Sequence, residues 1–219
     1  MKRILDGRWS QFSLFNDNNK NKPQTRKTNS NTKMKRASST ALTSVLPKKP
    51  KAGEKQAPEH LLLAAAKEAY EGVKNEAAAK GQKKYMRDQF EFYGMTSPTR
   101  RGLHKGIEGC LSERTLSQTE VCAIVKLLWD QPQRDFQYFA QEFAKDRLDV
   151  TDAATVLDLV EEMVTKKSWW DTVDFISPHL AGRTLAGMPQ AARLAKLNSW
   201  IDRSSYFFLF LFFLFFLWS

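Results

Sequence analysis

The densest group of residues that could do chemistry lies at positions 166–174, where the sequence reads KKSWWDTVD. Ser168 is a residue type that caps helix N-termini, so we expect a helix to begin here. Trp170 and Asp174 are four residues apart, a spacing that puts both on one helical face. An aromatic wall beside a carboxylate can stabilise a cation, including the charge that builds on a sugar as its glycosidic bond breaks. In the alternative interpretation both tryptophans are core residues, and Asp171 is a first-turn residue favoured by the helix dipole.

Cysteine and histidine are too scattered for a metal centre. The two cysteines, Cys110 and Cys122, and the three histidines show neither CxxC nor HxxxH spacing. We therefore predict no metal site, no disulfide framework and no cofactor, with both thiols in a reducing compartment.

The charge of the chain favours a polyanionic partner. The formal net charge is +10 and the isoelectric point is about 9.6, values that suit nucleic acid or an anionic membrane surface. Much of the positive charge lies in residues 1–57, where 16–55 lacks apolar periodicity. We predict that residues 1–57 are a disordered basic tail, because such a segment cannot bury enough apolar surface to offset the entropy of ordering.

Two basic clusters in this tail, at 33–36 and 47–51, resemble a nuclear import signal. The alternative is a solvated basic linker. We predict a nuclear location, with mitochondrial or cytoplasmic location left open, since the first 15 residues also carry scattered aromatic side chains.

Helix signals dominate from Pro58 onward, and no strand-like alternation occurs. The capping sequence SQTE at 117–120 precedes one apolar helical face, and Pro132 is expected to open the next helix. Short helices with short loops predict an all-α solenoid or bundle of paired helices, inferred from element lengths because no repeat period is visible. The expected helices span 59–80, 83–92, 97–109, 117–129, 132–143, 151–165, 168–181 and 189–201.

Four motifs occur in an order that resembles the AlkD-like alkylpurine DNA glycosylases. They are KYMRDQF at 84–90 with FYG at 92–94, SPTRR at 97–101, LWDQPQRDFQ at 128–137 and TKKSWWDTVD at 165–174. The resemblance covers about residues 60–202. It implies a HEAT-like helical-repeat solenoid at 58–203 that acts on duplex DNA and removes cationic N3- and N7-alkylated purines. It also implies that the base need not be flipped into a pocket, unlike the usual solution to reaching a stacked base. We expect a monomer, since nothing in the sequence indicates an oligomer.

The resemblance assigns roles to particular residues. It implies that Asp174 is the catalytic carboxylate, that Trp170 is a wall against the deoxyribose, and that Tyr85 lies near the lesion. Residues 131–134, with Phe136, Tyr138 and Phe139, are interpreted as an inter-helix turn and core. Five cations are candidate phosphate contacts, with solvated surface charge as the alternative for each: Arg100, Arg101, Lys105, Lys166 and Lys167.

The C-terminal run at 206–218 contains only Phe, Leu, Tyr and Trp. It is shorter than the about 20 residues that a spanning helix needs, so we predict an aberrant tail at 204–219 and no membrane span, with a tail anchor as the alternative. The family pattern places an arginine about ten residues beyond Trp200 and a tryptophan on a later helix. This chain has only Phe and Leu at 207–210, so we expect both groups to be missing. We therefore expect weak or absent glycosylase activity, and the competing hypothesis is a noncatalytic HEAT-like module that binds DNA or protein.

Overall fold

The structure is a computed structural model, and it describes residues 57–111 and 114–202. The basic clusters of the N-terminal tail and the Phe/Leu-rich run lie outside the described residues. The stretch at 207–210, in which the family's arginine is expected to be missing, lies outside them as well.

The described part of the chain is all-α, which confirms the predicted fold class. It has no strand, and Glu91 and Gln133 form an isolated parallel bridge. A 3₁₀ turn at Gly109–Leu111 follows α3, and a π-helical turn at Ser177–Gly182 joins α7 to α8. The helices are α1 Pro58–Glu71, α2 Glu76–Tyr85, α3 Ser97–Glu108, α4 Gln118–Trp129, α5 Arg134–Arg147, α6 Ala153–Thr165, α7 Trp170–Ile176, α8 Arg183–Gly187 and α9 Gln190–Asp202.

The helices pack as successive pairs. Helices α1 and α3, α4 and α5, and α6 and α7 contact each other, α1 and α6 both contact α4, and α5 contacts α7. First helices of neighbouring pairs therefore stack on one another, as expected for a helical-repeat protein in which each pair buries its apolar face against the next. Helix α2 is an addition between α1 and α3 and has no buried residue.

Large apolar side chains fill the space between the paired helices. Trp129, Phe136, Phe139 and Phe143 are almost inaccessible to solvent, and each contributes about 2 kcal/mol of transfer free energy. The predicted apolar faces of α4 and α5 are thereby confirmed as core.

The single helix expected at 59–80 is wrong, because two helices occupy this range. Helix α1 ends at Glu71 and is followed by Gly72, a residue type that favours helix ends. Asn75 then begins α2 by accepting a hydrogen bond of 3.0 Å from the amide of Ala78. The alanine-rich composition hid this break.

The helix expected at 83–92 is also wrong. The chain leaves α2 after Tyr85, and Arg87 and Asp88 adopt positive φ values of 53° and 59°. Gly94 has a φ of 84°, and a Cβ there would lie 2.0 Å from the carbonyl oxygen of Asn75. Only glycine fits this close approach, which ties the loop at 86–95 to the start of α2.

Three further helix starts can be compared with the sequence. The capping box is confirmed, since Ser117 and Glu120 bond each other's backbone amides. Helix α5 begins at Arg134, two residues after Pro132. The prediction that Ser168 caps α7 is wrong, because Trp169 is the N-terminal flanking residue and no side chain caps the helix.

Candidate functional site

Trp170 and Asp174 lie in the first two turns of α7 and so follow one another along the same side of the helix. The side chain of Trp170 is 47% exposed, an unusual exposure for so large an apolar surface. Asp174 is half-buried. The alternative in which both tryptophans are core residues is wrong for Trp170, whereas the partly buried Trp169 packs edge-on against Phe90 with ring centroids 6.3 Å apart.

The carboxylate of Asp174 is poorly satisfied. Its Oδ1 is buried and has no hydrogen-bond partner among the described residues. Burial, and then the negative charge of Asp171, raise the pKa of Asp174 to about 6. Above that pH the group is a carboxylate with an unused acceptor oxygen, which favours interaction with a cation or a water molecule.

Asp171 lies one helical turn before Asp174, and its carboxylate oxygens, unlike Oδ1 of Asp174, have several hydrogen-bond donors. Arg134 donates to it through Nε at 3.1 Å and Nη2 at 2.5 Å, and the hydroxyl of Tyr138 donates at 2.6 Å. The guanidinium of Arg134 is fully buried and lies 4.0 Å over the ring of Phe90. This bidentate pair fixes the start of α7 without a side-chain cap.

Arg134 also fixes the loop before α7. Its Nη1 donates to the carbonyl of Lys167 at 2.7 Å, and its Nη2 donates to the hydroxyl of Thr172 at 2.8 Å. Its backbone amide donates to the carbonyl of Glu91 at 2.8 Å. One buried side chain therefore joins α5, α7 and the loop that precedes α7.

Lys167 points into the protein instead of toward a phosphate. Its ammonium donates to the carbonyls of Trp129 at 2.9 Å and Gln131 at 2.5 Å, and burial lowers its pKa. These carbonyls lie at the C-terminal end of α4, where a cation is favoured. The structure therefore gives Lys167 a role different from the predicted phosphate contact. The residue holds a strained φ of 51° just before the site.

Sequence reasoning missed Arg134 and Tyr138, which were interpreted as turn and core. Two signals were present. A cation at the first position of a helix opposes the helix dipole, so it indicates a nearby anion. Arg134 and Tyr138 are also four residues apart on α5, which puts two polar groups on the same face among buried phenylalanines.

Tyr85, which the resemblance implies lies near the lesion, contacts Trp170. The two rings meet edge-on with centroids 6.0 Å apart, although they belong to helices far apart in the chain. Tyr85 is 63% exposed. The pair forms an exposed aromatic surface where α2 meets the start of α7.

The four other candidate cations differ in exposure. Arg101 and Lys105 are exposed and share one face of α3, and Lys166 is exposed and pairs with Glu162 at 2.7 Å. Arg100 is buried, with its guanidinium 4.3 Å over the ring of Tyr138. Only Arg101, Lys105 and Lys166 have the exposure that a phosphate contact requires.

No group of three or more His, Cys, Asp and Glu side chains within the described ranges could hold a metal ion. Cys110 and Cys122 are both free and buried. Across residues 57–111 and 114–202, no helix has both the length and the apolar character to cross a membrane.

Two comparisons with known proteins were informative. No curated protein matches the chain, whereas a family model agrees with the ordered motifs. The family model described as DNA alkylation repair enzyme matches residues 66–208, well over half of the chain. This range includes α2 to α9 and every residue of the site described above. The chain therefore belongs to the DNA alkylation repair enzyme family.

Proposed function

We propose that the chain is a DNA glycosylase that hydrolyses the N-glycosidic bond of N3- and N7-alkylated purines in duplex DNA. The observation that supports this most is the Asp174 carboxylate, whose buried oxygen lacks a partner among the described residues and lies one helical turn from the exposed Trp170. Such a carboxylate is suited to a positive charge that exists only during the reaction.

The reaction requires little from the protein because the lesion is already cationic. The C1′–N9 bond breaks, and its electron pair goes to the purine, which leaves as a neutral base. Positive charge builds on the deoxyribose, where Asp174 stabilises it electrostatically and Trp170 adds its aromatic face. A water molecule, oriented by Asp174, bonds to C1′ and loses a proton, which leaves an abasic sugar.

The raised pKa of Asp174 gives this mechanism an acid limit. With a pKa of about 6, the group is ionised near neutral pH. Below that value the protonated form cannot stabilise a cation. Asp171 cannot replace it, because Arg134 and Tyr138 already occupy its oxygens.

Duplex DNA would be held by exposed cations of the described helices and loops. Arg101, Lys105 and Lys166 are the candidates for this role. Neutralising one cation that binds a phosphate makes the slope of log affinity against log salt shallower by about 1.

The test is release of 7-methylguanine from methylated duplex DNA by the full chain, for which we expect a low rate. We expect Asp174→Asn to reduce the rate by about a hundredfold or more, as for removal of other preorganised charged groups. Asp158→Asn is the matched control, because Asp158 is 80% exposed on the neighbouring helix α6, and it should leave the rate unchanged. A folded chain that releases no base, or an equal rate in Asp174→Asn, would contradict the proposal and favour the noncatalytic binding module.

A further inference from the structure

A second feature of the site is a cleft that extends from Trp170 away from Asp174. Helices α2, α3 and α5 and the start of α7 border this open cleft, whose volume is about 540 Å³, within the range of small-molecule sites. Tyr85 and Trp170 border it, and Met86, Phe92 and Met95 supply apolar surface. Asp174 lies outside this lining.

Two polar side chains in the cleft each have one buried polar atom without a hydrogen-bond partner among the described residues. Arg100 is 8% exposed, its Nε has no partner in the described part of the chain, and its ion pair with Glu142 is long at 3.6 Å. Gln82 donates through its amide nitrogen to the carbonyl of Met95 at 2.8 Å, while its buried Oε1 has no partner within residues 57–111 and 114–202. Buried polar groups are rarely left without hydrogen bonds, so an unpartnered donor and an unpartnered acceptor in one cleft indicate a ligand that binds to both.

The acidic groups of the cleft are already engaged. Asp135 accepts a hydrogen bond of 2.8 Å from the amide of Tyr93. Asp171 is neutralised by the buried Arg134. Arg100 therefore disfavours a cationic ligand and favours a neutral one with an acceptor atom.

These features define the ligand by its chemistry. Aromatic and methionine side chains suit a flat ring, while Arg100 and Gln82 suit a ring edge that carries both an acceptor and a donor. Purine bases have this combination. Breaking the glycosidic bond converts a cationic purine in DNA to a neutral free purine, which is the form that Arg100 tolerates.

We propose that this cleft binds the free purine base after its release, with Arg100 as donor and Gln82 as acceptor. The identity of the base rests on the proposed function, whereas binding itself can be measured without turnover. Tyr85 and Trp170 line the cleft and are exposed to solvent, so their rings offer aromatic surface to a base that enters or leaves.

Equilibrium dialysis of the full chain with labelled 7-methylguanine and with adenine tests this proposal. We expect a dissociation constant below about 1 mM, weakened about tenfold by Arg100→Lys and severalfold by Gln82→Met. Arg147→Lys is the matched control, since it makes the same change at an exposed position of α5 outside the cleft, and it should alter binding less than twofold. Gln82 lies on a helix without buried residues, so Gln82→Met keeps the test valid if Arg100→Lys misfolds.

Absence of binding by folded protein, or equal binding by the Arg100 and Gln82 variants, would overturn the proposal. The two proposals fail separately. A chain that binds free purine but releases none from DNA retains the cleft site and contradicts the glycosylase. A chain that releases 7-methylguanine but binds no free base supports the glycosylase and contradicts the cleft site.

Discussion

The two aspartates of α7 show how one short helix supports two opposite environments. Asp171 faces α5, where Arg134 and Tyr138 supply three donors to its oxygens. Asp174 has a buried oxygen for which the described part of the chain supplies no partner. The fully partnered side fixes the position of the helix, and the under-partnered side retains interaction capacity for a ligand. Functional groups are expected on the second kind of surface, because a satisfied carboxylate has little left to offer.

The largest effect should come from removing the buried cation. Arg134→Met leaves the Asp171 carboxylate without its ion pair, which typically costs about 3 to 5 kcal/mol in free energy of unfolding. Urea denaturation followed by circular dichroism measures this change. Arg101→Met, at an exposed position, is the control and should stay within about 0.5 kcal/mol. If the two variants were equally stable, the fully partnered side would not hold α7 in place.

Tyr138→Phe tests the environment of Asp171 by deleting a single donor. It removes the 2.6 Å hydrogen bond to Asp171 and leaves the ring beside Arg100. Hydrogen bonds to charged groups contribute about 2 kcal/mol, so the free energy of unfolding should fall by about that much. Phe139→Leu, at the next position of α5, is the comparison variant, because it changes packing and removes no hydrogen bond. A loss in Tyr138→Phe below about 0.5 kcal/mol would show that Arg134 satisfies Asp171 by itself.

Asp174→Asn should act on stability in the opposite direction. The pKa of Asp174 is raised from 3.8 to about 6, so the folded chain binds more protons than the unfolded chain between these values. The free energy of unfolding therefore falls as pH rises through this window. Asparagine cannot ionise, and the variant should be more stable above pH 6 by about 1 kcal/mol, a value reduced for screening because the group is half-exposed.

The same variant should match the unsubstituted chain below pH 3.8, where both side chains are neutral. Thermal unfolding at several pH values measures the difference. A stability loss in Asp174→Asn at neutral pH would mean that the carboxylate has a structural partner and is not held in reserve for function.

Trp170→Leu should have the smallest effect on stability. The ring is 47% exposed and meets only the edge of Tyr85 among the described aromatic side chains, so the free energy of unfolding should change by less than about 0.5 kcal/mol. The rate of 7-methylguanine release should nevertheless fall by about tenfold if the aromatic face stabilises the sugar cation. Equal loss of stability and rate would assign Trp170 to the core.

Much of the site could be predicted from the sequence because it depends on spacing. Trp170 and Asp174 share a face through their separation of four residues, and this follows once a helix begins near residue 170. The capping box at Ser117 and the start of α3 at Ser97 were also local signals that the structure confirms. The assignment of Tyr85 to the lesion region came instead from the ordered motifs, whereas its contact with Trp170 was not predicted.

Other features depend on residues that meet only in three dimensions. The break at Gly72 and the loop at 86–95 were missed, because alanine and lysine favour helix while the contact of Gly94 with Asn75 decides the turn. The sequence predicted Lys167 as a surface cation, but its ammonium donates to the carbonyls at the C-terminal end of α4. Arg134 and Tyr138 act on Asp171 from 37 and 33 residues away.

The sequence alone thus determined an all-α chain of paired helices, its family, and the pairing of Trp170 with Asp174, because helical period and motif order are local and survive without coordinates. Only the tertiary structure decided which aspartate is satisfied and which keeps an unpaired oxygen. It also decided which cations are buried, and that a cleft lies beside the aromatic pair. These properties depend on distances and solvent access across separate helices, and no local pattern encodes them.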